Sequence, residues 1–412
     1  MTALHQKKGN MKKAILFIVL ALFIINVSCG SSGSSDSSSS GTTAVTIRLG
    51  QAGTSSTTMA GAVDSSAVIP SGVTTIRLTV SAGDMVTIIK EVSVAGESSV
   101  TVILDIPNGP DRHILVEALD SSGNVLYSGE TVVDLEGEPL QLTIVMSPLC
   151  SLFVDPAGSD NSDCTDVNDP CGTITYALQQ TRGNVTVCVA AGSYDISSET
   201  FPITLKTGVG LRCQGDGHSA IIDSRVIEGS SPDTIIGAEG ASIEGCRVIT
   251  GDNSVAIRDN GAAITVNDCL IEGNVNGFDN TGILLTADST VSNSTITNFL
   301  EGEGGGEGIL VNSGNPTIAG NSITGNDFGV KIFGGNPVIN NNTLSCNSSV
   351  DLYNFIEGVF PKINAQNNRW DTVELFINTD CSEIGEDICA PNGGDVDFAG
   401  ALQAPDACIL PL

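Results

Sequence analysis

Two segments of the sequence decide the fold: GILVNSGNPTIAGNSITGN at residues 308–326 and GVKIFGGNPVINNNTLSCN at residues 329–347. They align without a gap at an offset of 21 residues. Both contain an apolar residue, two spacers, a small polar residue, one spacer and a second apolar residue. In the first copy these are Ile318, Asn321 and Ile323. Self-similarity at such a period is typical of a repeat architecture.

The same pattern recurs upstream and, more loosely, once downstream. Each unit holds two or three short strands and no helical periodicity, so it must bury its apolar face by stacking on its neighbours. Parallel stacking at about 4.8 Å per turn places equivalent residues in columns. A leucine-rich repeat is disfavoured because the Leu-x-x-Leu-x-Leu core is missing. The small polar positions predict one column of turn-to-turn hydrogen bonds, formed by Cys246, Cys269, Ser294, Asn321, Asn342 and Asn368.

Residues 44–149, which precede the repeat, have a different pattern. Alternating apolar stretches separated by Gly, Pro and Asn turns predict strands at 45–49, 75–80, 86–90, 100–106, 113–119 and 140–146. The turn residues at 121–124 indicate a hairpin before a further strand. Six or seven short strands predict a small immunoglobulin-like β-sandwich, which acts as a spacer or interaction module.

Composition limits the class of function. The 412-residue chain has 47 acidic and 17 basic side chains, which gives a net charge of −30. This charge argues against nucleic acid as a partner, because such binding requires neutralised phosphates. The 47 glycines, the 4% of aromatic residues and the mean hydropathy of +0.18 indicate a turn-rich fold with an aliphatic core.

The N-terminal residues 1–28 form an export signal rather than part of a fold. Lys12 and Lys13 precede an apolar run at residues 14–25, which is too short for a comfortable transmembrane helix. The run ends in the sequence NVSCG, which resembles the cleavage site of bacterial lipoproteins. The rival interpretation is a secreted protein with an incidental cysteine.

The lipoprotein resemblance implies that Cys29 is lipidated and becomes the first mature residue. The Gly30 that follows it implies anchoring in the outer membrane, with the protein either surface-exposed or facing the periplasm. Residues 29–43 are rich in Ser and predict a flexible tether between the lipid and the sandwich. The expected partners are thus the membrane and a polysaccharide or another surface protein.

A second resemblance covers the start of the repeat region, residues 150–370. Its stretches are FVDPAGSD (153–160), PCGTITYAL (170–178) and VCVAAGSY (187–194). They resemble the entry segment of bacterial right-handed parallel β-helices, and a domain-of-unknown-function family that begins many pectate-lyase-like proteins. The resemblance implies a capping helix at 173–180 and a C-terminal cap over 371–412. The expected fold class is all-β, with a right-handed parallel β-helix preceded by an immunoglobulin-like β-sandwich.

Twelve cysteines in an exported chain indicate disulfides. The pairs that we expect are Cys164 with Cys171, Cys381 with Cys389, and Cys188 with Cys213. Cys246 and Cys269 fall in the interior column, where free thiols fit as well as a bridge. Since no Cys-x-x-Cys pair and only three His are present, a zinc or copper site is improbable.

The pectate-lyase resemblance raises the question of catalysis. It implies calcium, held by acidic residues, beside a Lys or Arg base. Lys331 is the best candidate for such a base because its apolar neighbours in sequence point inward. Its predicted column neighbours are Leu284, Leu310 and Tyr353. Since no carboxylate is expected beside it, we predict a solvated lysine and no catalytic residue.

Five aspartates crowd the segment at residues 155–169. Asp155, Asp160 and Asp163 are candidate calcium ligands, although the spacing is not that of an EF-hand. Calcium is the one cofactor that the sequence indicates. The alternative is a solvated acidic loop.

Two adjacent turns of the predicted coil carry extra residues, at 272–280 and 298–307. Insertions in solenoids usually lie on the binding side. The candidate ligand-binding residues there are Phe278, Asp279, Phe299, Glu301, Glu303 and Glu307. A bare surface loop is the alternative.

The sequence therefore predicts a lipid-anchored envelope protein that acts by binding, with carbohydrate as one ligand class, or by structure. The alternative is a calcium-dependent polysaccharide lyase acting on uronic-acid polymers. An inert envelope scaffold is the third hypothesis.

Overall fold

In a computed structural model, the described residues are 41–51, 69, 72–95, 97, 100–121, 123–226, 229–274, 280–300, 306–356, 362–371, 377, 386–392 and 395–403. They belong to one compact unit, Gly41–Leu412. The predicted signal and Cys29 lie outside the described residues. Within the described part of the chain, no helix is long and apolar enough to cross a membrane.

Seven strands form the N-terminal domain. They are β1 (Thr42–Gln51), β2 (Thr75–Ser81), β3 (Ile88–Ser93), β4 (Val100–Pro107), β5 (Gly109–Leu119), β6 (Val125–Leu135) and β7 (Leu140–Pro148). In one layer β1 lies between β4, to which it is antiparallel, and β7, to which it is parallel. The other layer is antiparallel in the order β3-β2-β5-β6, and a short β6–β7 pairing joins the two.

Alternate residues of these strands face a common core. In β2, for example, Ile76, Leu78 and Val80 are buried while the residues between them are partly exposed. The alternation that predicted the strands is therefore the alternation of the two faces, and the β-sandwich prediction is confirmed. The predicted strand at 86–90 was misplaced, because pairing with β2 begins only at Ile88 and Val86 is 88% exposed.

A short strand and a helix close the N-terminal end of the repeat: β8 (Leu152–Val154) and α1 (Ile174–Gln180). Thr173 caps α1, because its hydroxyl accepts the Tyr176 amide at 3.1 Å. Glu199 accepts the amides of the first two helical residues at 2.6 and 2.9 Å. These bonds satisfy N–H groups that a helix start leaves open. The predicted capping helix is confirmed.

The rest of the described chain is a coil of short strands. The first half contains β9 (Val185–Val189), β10 (Gly192–Asp195), β11 (Ile203–Thr204), β12 (Val209–Cys213), β13 (Ala220–Asp223), β14 (Ile235–Ile236), β15 (Ser242–Glu244), β16 (Arg247–Ile249), β17 (Val255–Arg258), β18 (Thr265–Asn267), β19 (Leu270–Glu272), β20 (Thr281–Leu285) and β21 (Thr290–Ser292). The second half contains β22 (Thr295–Thr297), β23 (Glu307–Val311), β24 (Thr317–Ala319), β25 (Ser322–Thr324), β26 (Phe328–Ile332), β27 (Val338–Asn340), β28 (Thr343–Ser345), β29 (Val350–Asn354), β30 (Ile363–Asn364), β31 (Arg369–Trp370), β32 (Glu386–Cys389), β33 (Val396–Asp397) and β34 (Leu402–Gln403).

These strands build three parallel sheets that run along the coil. Sheet A contains β8, β9 and every third strand from β12 to β33; sheet B runs from β10 to β34, and sheet C from β11 to β32. Each turn contributes one strand to each sheet in register, which is the architecture of a parallel β-helix. The fold class that the repeat predicted is confirmed.

The predicted polar column exists. The Asn342 Oδ1 accepts the backbone N–H of Asn321 at 2.9 Å and its Nδ2 at 3.0 Å, and Asn368 serves Asn342 in the same way. A second ladder, which the sequence analysis missed, joins Asn326 to Asn347 with the same geometry. Its signal was present, since an Asn ends both copies of the quoted repeat.

The disulfides follow the sequence predictions only in part. Cys164–Cys171 is confirmed. The predicted Cys188–Cys213 pair is wrong: Cys188 bonds Cys150, and Cys213 bonds Cys246 on the next turn. Cys269 is a buried free thiol. Cys389 is disulfide-bonded, as is Cys346, while Cys381 lies outside the described residues.

Candidate functional site

Of the loop residues predicted from the long turns, the structure describes Phe299 and Glu307. Phe299 is 0% exposed and packs in the core, so the prediction of a surface ligand contact at this position is wrong. The extra residues of this turn therefore follow Phe299 in the chain rather than include it. Phe278, Asp279, Glu301 and Glu303 lie outside the described residues. Glu307 is described and lies at the start of β23.

The aspartates predicted to bind calcium each accept backbone amides. Asp155 accepts the amide two residues further on, at 2.8 Å, and Asp163 does the same at 3.1 Å. Asp160 accepts the amides of Gly172 and Thr173 at 2.9 and 3.0 Å. Such bonds account for these carboxylates as turn and loop acceptors. The structure does not bring the three together as an ion site.

Lys331 points outward from sheet C, and its predicted column is confirmed. Leu310 on one side and Tyr353 on the other are its in-register partners. The prediction that no carboxylate lies beside it is wrong, because its Nζ is 2.8 Å from Glu307 Oε1. Both side chains are largely shielded from water, with 14% and 15% exposure. Thr281 on the preceding turn donates to the other Glu307 oxygen at 3.0 Å.

Two aromatic rings contact the lysine of this ion pair, and two more pack against them. The chain has only 17 aromatic residues (1 Trp, 4 Tyr and 12 Phe), and four of them lie on two neighbouring turns of sheet C. We call Phe328, Phe333, Tyr353 and Phe355 the aromatic platform. The Lys331 Nζ is 4.4 Å from the ring centre of Phe328 and 5.6 Å from that of Phe333. Both distances are within the range of cation–π contacts.

The rings pack against one another in an ordered array. Phe333 and Phe355 meet edge to face with ring centres 5.4 Å apart, and Phe328 meets Tyr353 similarly at 5.5 Å. Tyr353 and Phe355 lie nearly parallel, 6.0 Å apart. Phe333 and Phe355 remain 44% and 36% exposed despite these contacts. Exposed apolar patches are a feature of interaction sites, which makes this surface a candidate for ligand binding.

The same contacts argue against Lys331 as a base. A base must present a free lone pair, whereas this amine donates to a carboxylate and lies against a ring. The arrangement therefore suits recognition of a ligand better than proton abstraction from one.

A group of three acidic side chains lies at the C-terminal turns of the described coil. The carboxylates of Asp351, Asp371 and Asp387 have oxygen atoms within 4.8 Å of one another. Burial raises the pKa of Asp351 well above its usual range, and burial also raises the pKa of Asp371. The sequence analysis missed this group because its members lie on three different strands or turns.

A polar groove of about 510 Å³ lies between the sandwich and the first turns of the coil. Asp120, Asp155 and Asp216 are among its lining residues. Its one ring, that of Phe153, is buried and presents no stacking face. The aromatic platform is therefore the better candidate for a ligand site.

Comparison with known proteins bears out the resemblance of the entry segment. Residues 156–340 match the model of a family described as "Protein of unknown function (DUF1565)". Among solved structures, the chain is similar to pectate lyase Pel9A, with 14% identity and a TM-score of 0.37 over 62% of this chain and 82% of that chain. It is also similar to a rhamnogalacturonan lyase, with 14% identity and a TM-score of 0.31 over 55% and 70%. No curated protein matches the chain in sequence.

Proposed function

We propose that this protein is a lipid-anchored envelope protein whose β-helix binds carbohydrate on the aromatic platform without cleaving it. The observation that carries this proposal is the exposed pair Phe333 and Phe355, held in place by Tyr353 and by the Lys331–Glu307 ion pair. Sheet C supplies the rigid backing, because each ring-bearing strand is hydrogen-bonded on both sides.

Aromatic faces suit sugar rings for a physical reason. The face of a ring carries the negative part of its quadrupole, and the C–H groups on one side of a pyranose are weakly positive and apolar. Stacking also removes apolar area from water on both partners. Rings that are already packed in place lose little conformational freedom when a ligand arrives.

The charges around the platform favour a neutral glycan over a polyuronate. Among the described residues, Lys331 is the one cation in contact with these rings, and Glu307 neutralises it. The whole chain carries −30, so an anionic polymer meets long-range repulsion. We therefore expect a polymer of neutral hexoses or pentoses as the ligand.

The anchoring part of the proposal rests on the sequence of residues 1–43. A fatty acyl chain on Cys29 and a Ser-rich tether hold the sandwich and the β-helix at the outer membrane. Replacing Cys29 with Ser should release the protein from the membrane fraction and abolish incorporation of a labelled fatty acid. A membrane-bound, unlabelled wild-type protein would contradict this part alone.

Binding is tested with an array of neutral and anionic glycans, followed by calorimetry on the best ligand. Phe333→Ala and Phe355→Ala should each weaken binding at least about fivefold, since one stacked ring contributes about 1–3 kcal/mol. Ile196→Ala is the matched control, because Ile196 is also exposed (46%) but lies outside the platform. Its affinity should equal that of the wild type.

Two outcomes would contradict the proposal. One is an equal loss of affinity in the Ile196 control and the ring variants. The other is an ultraviolet signal of unsaturated uronate products, formed with polyuronate and calcium, that disappears in Lys331→Ala. The second outcome would identify a lyase in place of a binding protein.

A further inference from the structure

The three acidic side chains near the C-terminal end of the coil come from different strands and turns. Asp351 belongs to β29, Asp387 to β32, and Asp371 follows directly after β31. Strands β29 and β32 pair in parallel, so Asp351 and Asp387 occupy equivalent positions on successive turns. Asp371 is fixed by the Cys346 amide, which donates to its Oδ2 at 2.8 Å. The three carboxylates therefore converge from successive parts of the coil.

Asp351 follows three glycines at the equivalent positions of the three preceding turns. The register places Gly282, Gly308 and Gly329 at the equivalent positions. A Cβ on Gly329 would lie only 2.5 Å from the Asp351 carbonyl oxygen. A carboxylate at the end of this glycine column is thus not required by the stacking of the coil.

The burial of Asp351 gives an independent indication of a ligand. Its side chain is 1% exposed, and its Oδ1 accepts the Asn347 Nδ2 at 2.6 Å. Its other oxygen, Oδ2, is buried and receives no hydrogen bond from a donor in the described structure. No Lys, Arg or His of the described residues forms an ion pair with it. An ionised carboxylate in this state costs several kcal/mol unless a positive charge compensates it.

The geometry and chemistry of the group fit a calcium ion. Ca²⁺ takes oxygen ligands at about 2.3–2.6 Å and tolerates irregular coordination. Two ligands on opposite sides of such an ion lie about 4.6–5.2 Å apart. Oxygen atoms within 4.8 Å of one another can therefore all contact one central ion. Carboxylate oxygens favour a hard cation of this kind over zinc or copper.

We propose that Asp351, Asp371 and Asp387 bind one Ca²⁺ ion that fastens the C-terminal turns of the β-helix to one another. This assignment is independent of carbohydrate binding. It places calcium at the opposite end of the coil from Asp155, Asp160 and Asp163. The ion removes the repulsion among three clustered acids and supplies the positive charge that no described donor gives to Asp351 Oδ2.

The competing arrangement is a proton shared between Asp351 and Asp387, which would neutralise the pair without a metal. The two arrangements differ in their response to calcium and to one substitution. A shared proton leaves the stability of the protein indifferent to Ca²⁺. A metal site makes stability depend on Ca²⁺ concentration, because only the folded chain assembles the ligands.

The experiment uses the full chain, stripped of divalent ions with EDTA and then titrated with CaCl₂ while the melting temperature and the heat of binding are measured. The wild type should bind Ca²⁺, and its Tm should rise by at least about 3 °C at saturation. Asp351→Asn keeps the shape and the contact with Asn347 but removes the charge. It should lose the calcium-dependent shift, while its Tm in EDTA should equal or exceed that of the wild type.

Asp155→Asn is the matched control, and it should keep the full calcium response. Asp387→Asn repeats the test from the neighbouring strand if the first variant is poorly produced. A wild-type Tm that does not change with Ca²⁺ would contradict the metal site and favour the shared proton. A response that survives Asp351→Asn and Asp387→Asn but disappears in Asp155→Asn would move the site to the entry loop.

Discussion

Replacing Asn342 with Ala tests the idea that the Asn ladder holds the coil together. Asn342 is buried, and its amide group makes four hydrogen bonds. Its Oδ1 accepts the backbone N–H and the Nδ2 of Asn321, and its Nδ2 donates to the Ile318 carbonyl and to Asn368 Oδ1. The substitution removes all four at once.

The cost can be worked out from what each partner retains. The Asn321 Nδ2 still reaches the Val291 carbonyl at 2.9 Å, and Asn368 Oδ1 still accepts the backbone amide of residue 342 at 2.8 Å. The Asn321 N–H loses its side-chain partner inside the coil, whereas the Ile318 C=O keeps its place in the ladder between β24 and β27. A buried backbone group left without a partner costs about 1–3 kcal/mol, so the substitution should cost about 1–3 kcal/mol.

The assay is urea unfolding combined with hydrogen exchange. Because a solenoid unfolds in segments, the loss of stability should appear first as faster hydrogen exchange of the Asn321 amide. The amides of β24 and β27, the strands that precede Asn321 and Asn342, should also exchange faster. Asn312→Ala, at an exposed position in the same repeat, is the control and should stay within about 0.5 kcal/mol of wild type. Equal effects of the two substitutions would refute the ladder as a source of stability.

Three further predictions concern single groups. Burial raises the pKa of the Cys269 thiol to about 12, so a thiol-alkylating reagent should modify it only after unfolding; rapid modification of the native protein would contradict its buried position. Mild reduction of the Cys213–Cys246 bridge, which spans 33 residues, should lower the free energy of unfolding by about 3–4 kcal/mol in thermal melts. An unchanged melting curve would mean that the bridge hardly constrains the unfolded chain. Burial raises the pKa of Asp351 above its unfolded value, so the protonated side chain stabilises the folded state at low pH. In EDTA this stabilisation should be lost as the pH rises from about 4 through the folded pKa. Over the same pH range, the stability of Asp351→Asn should increase relative to that of the wild type. A gap between the two proteins that is constant with pH would show that Asp351 does not titrate there.

The sequence was sufficient for the architecture because the repeat fixes it physically. Residues such as Asn321 and Ile323 recur at the same place in each unit, and only parallel stacking brings them into register. Alternation did the same for the sandwich strands. In both domains the local sequence pattern agrees with the packing of the whole domain, so the strands and their stacking could be predicted from the local pattern.

Contacts that cross the repeat could not be predicted from it. Cys188 bonds Cys150, which precedes the coil, so the spacing of cysteines within the turns gave the wrong partner. Glu307 lies at the end of an insertion, so its position relative to Lys331 on the next turn could not be read from the repeat spacing. Phe299 looked like a loop residue for the same reason, although its ring fills the core.

Departures from the columns identify the two candidate sites. In a β-helix, each column sees a nearly identical environment on every turn, so the residue that recurs there is the one that stacking selects. Lys331 follows Leu284 and Leu310 in its column, and Asp351 follows Gly308 and Gly329 in its own. Both charged residues are largely shielded from water. We propose that these charges serve interactions beyond the stacking of the coil, with a ligand on the aromatic platform for Lys331 and with a cation for Asp351.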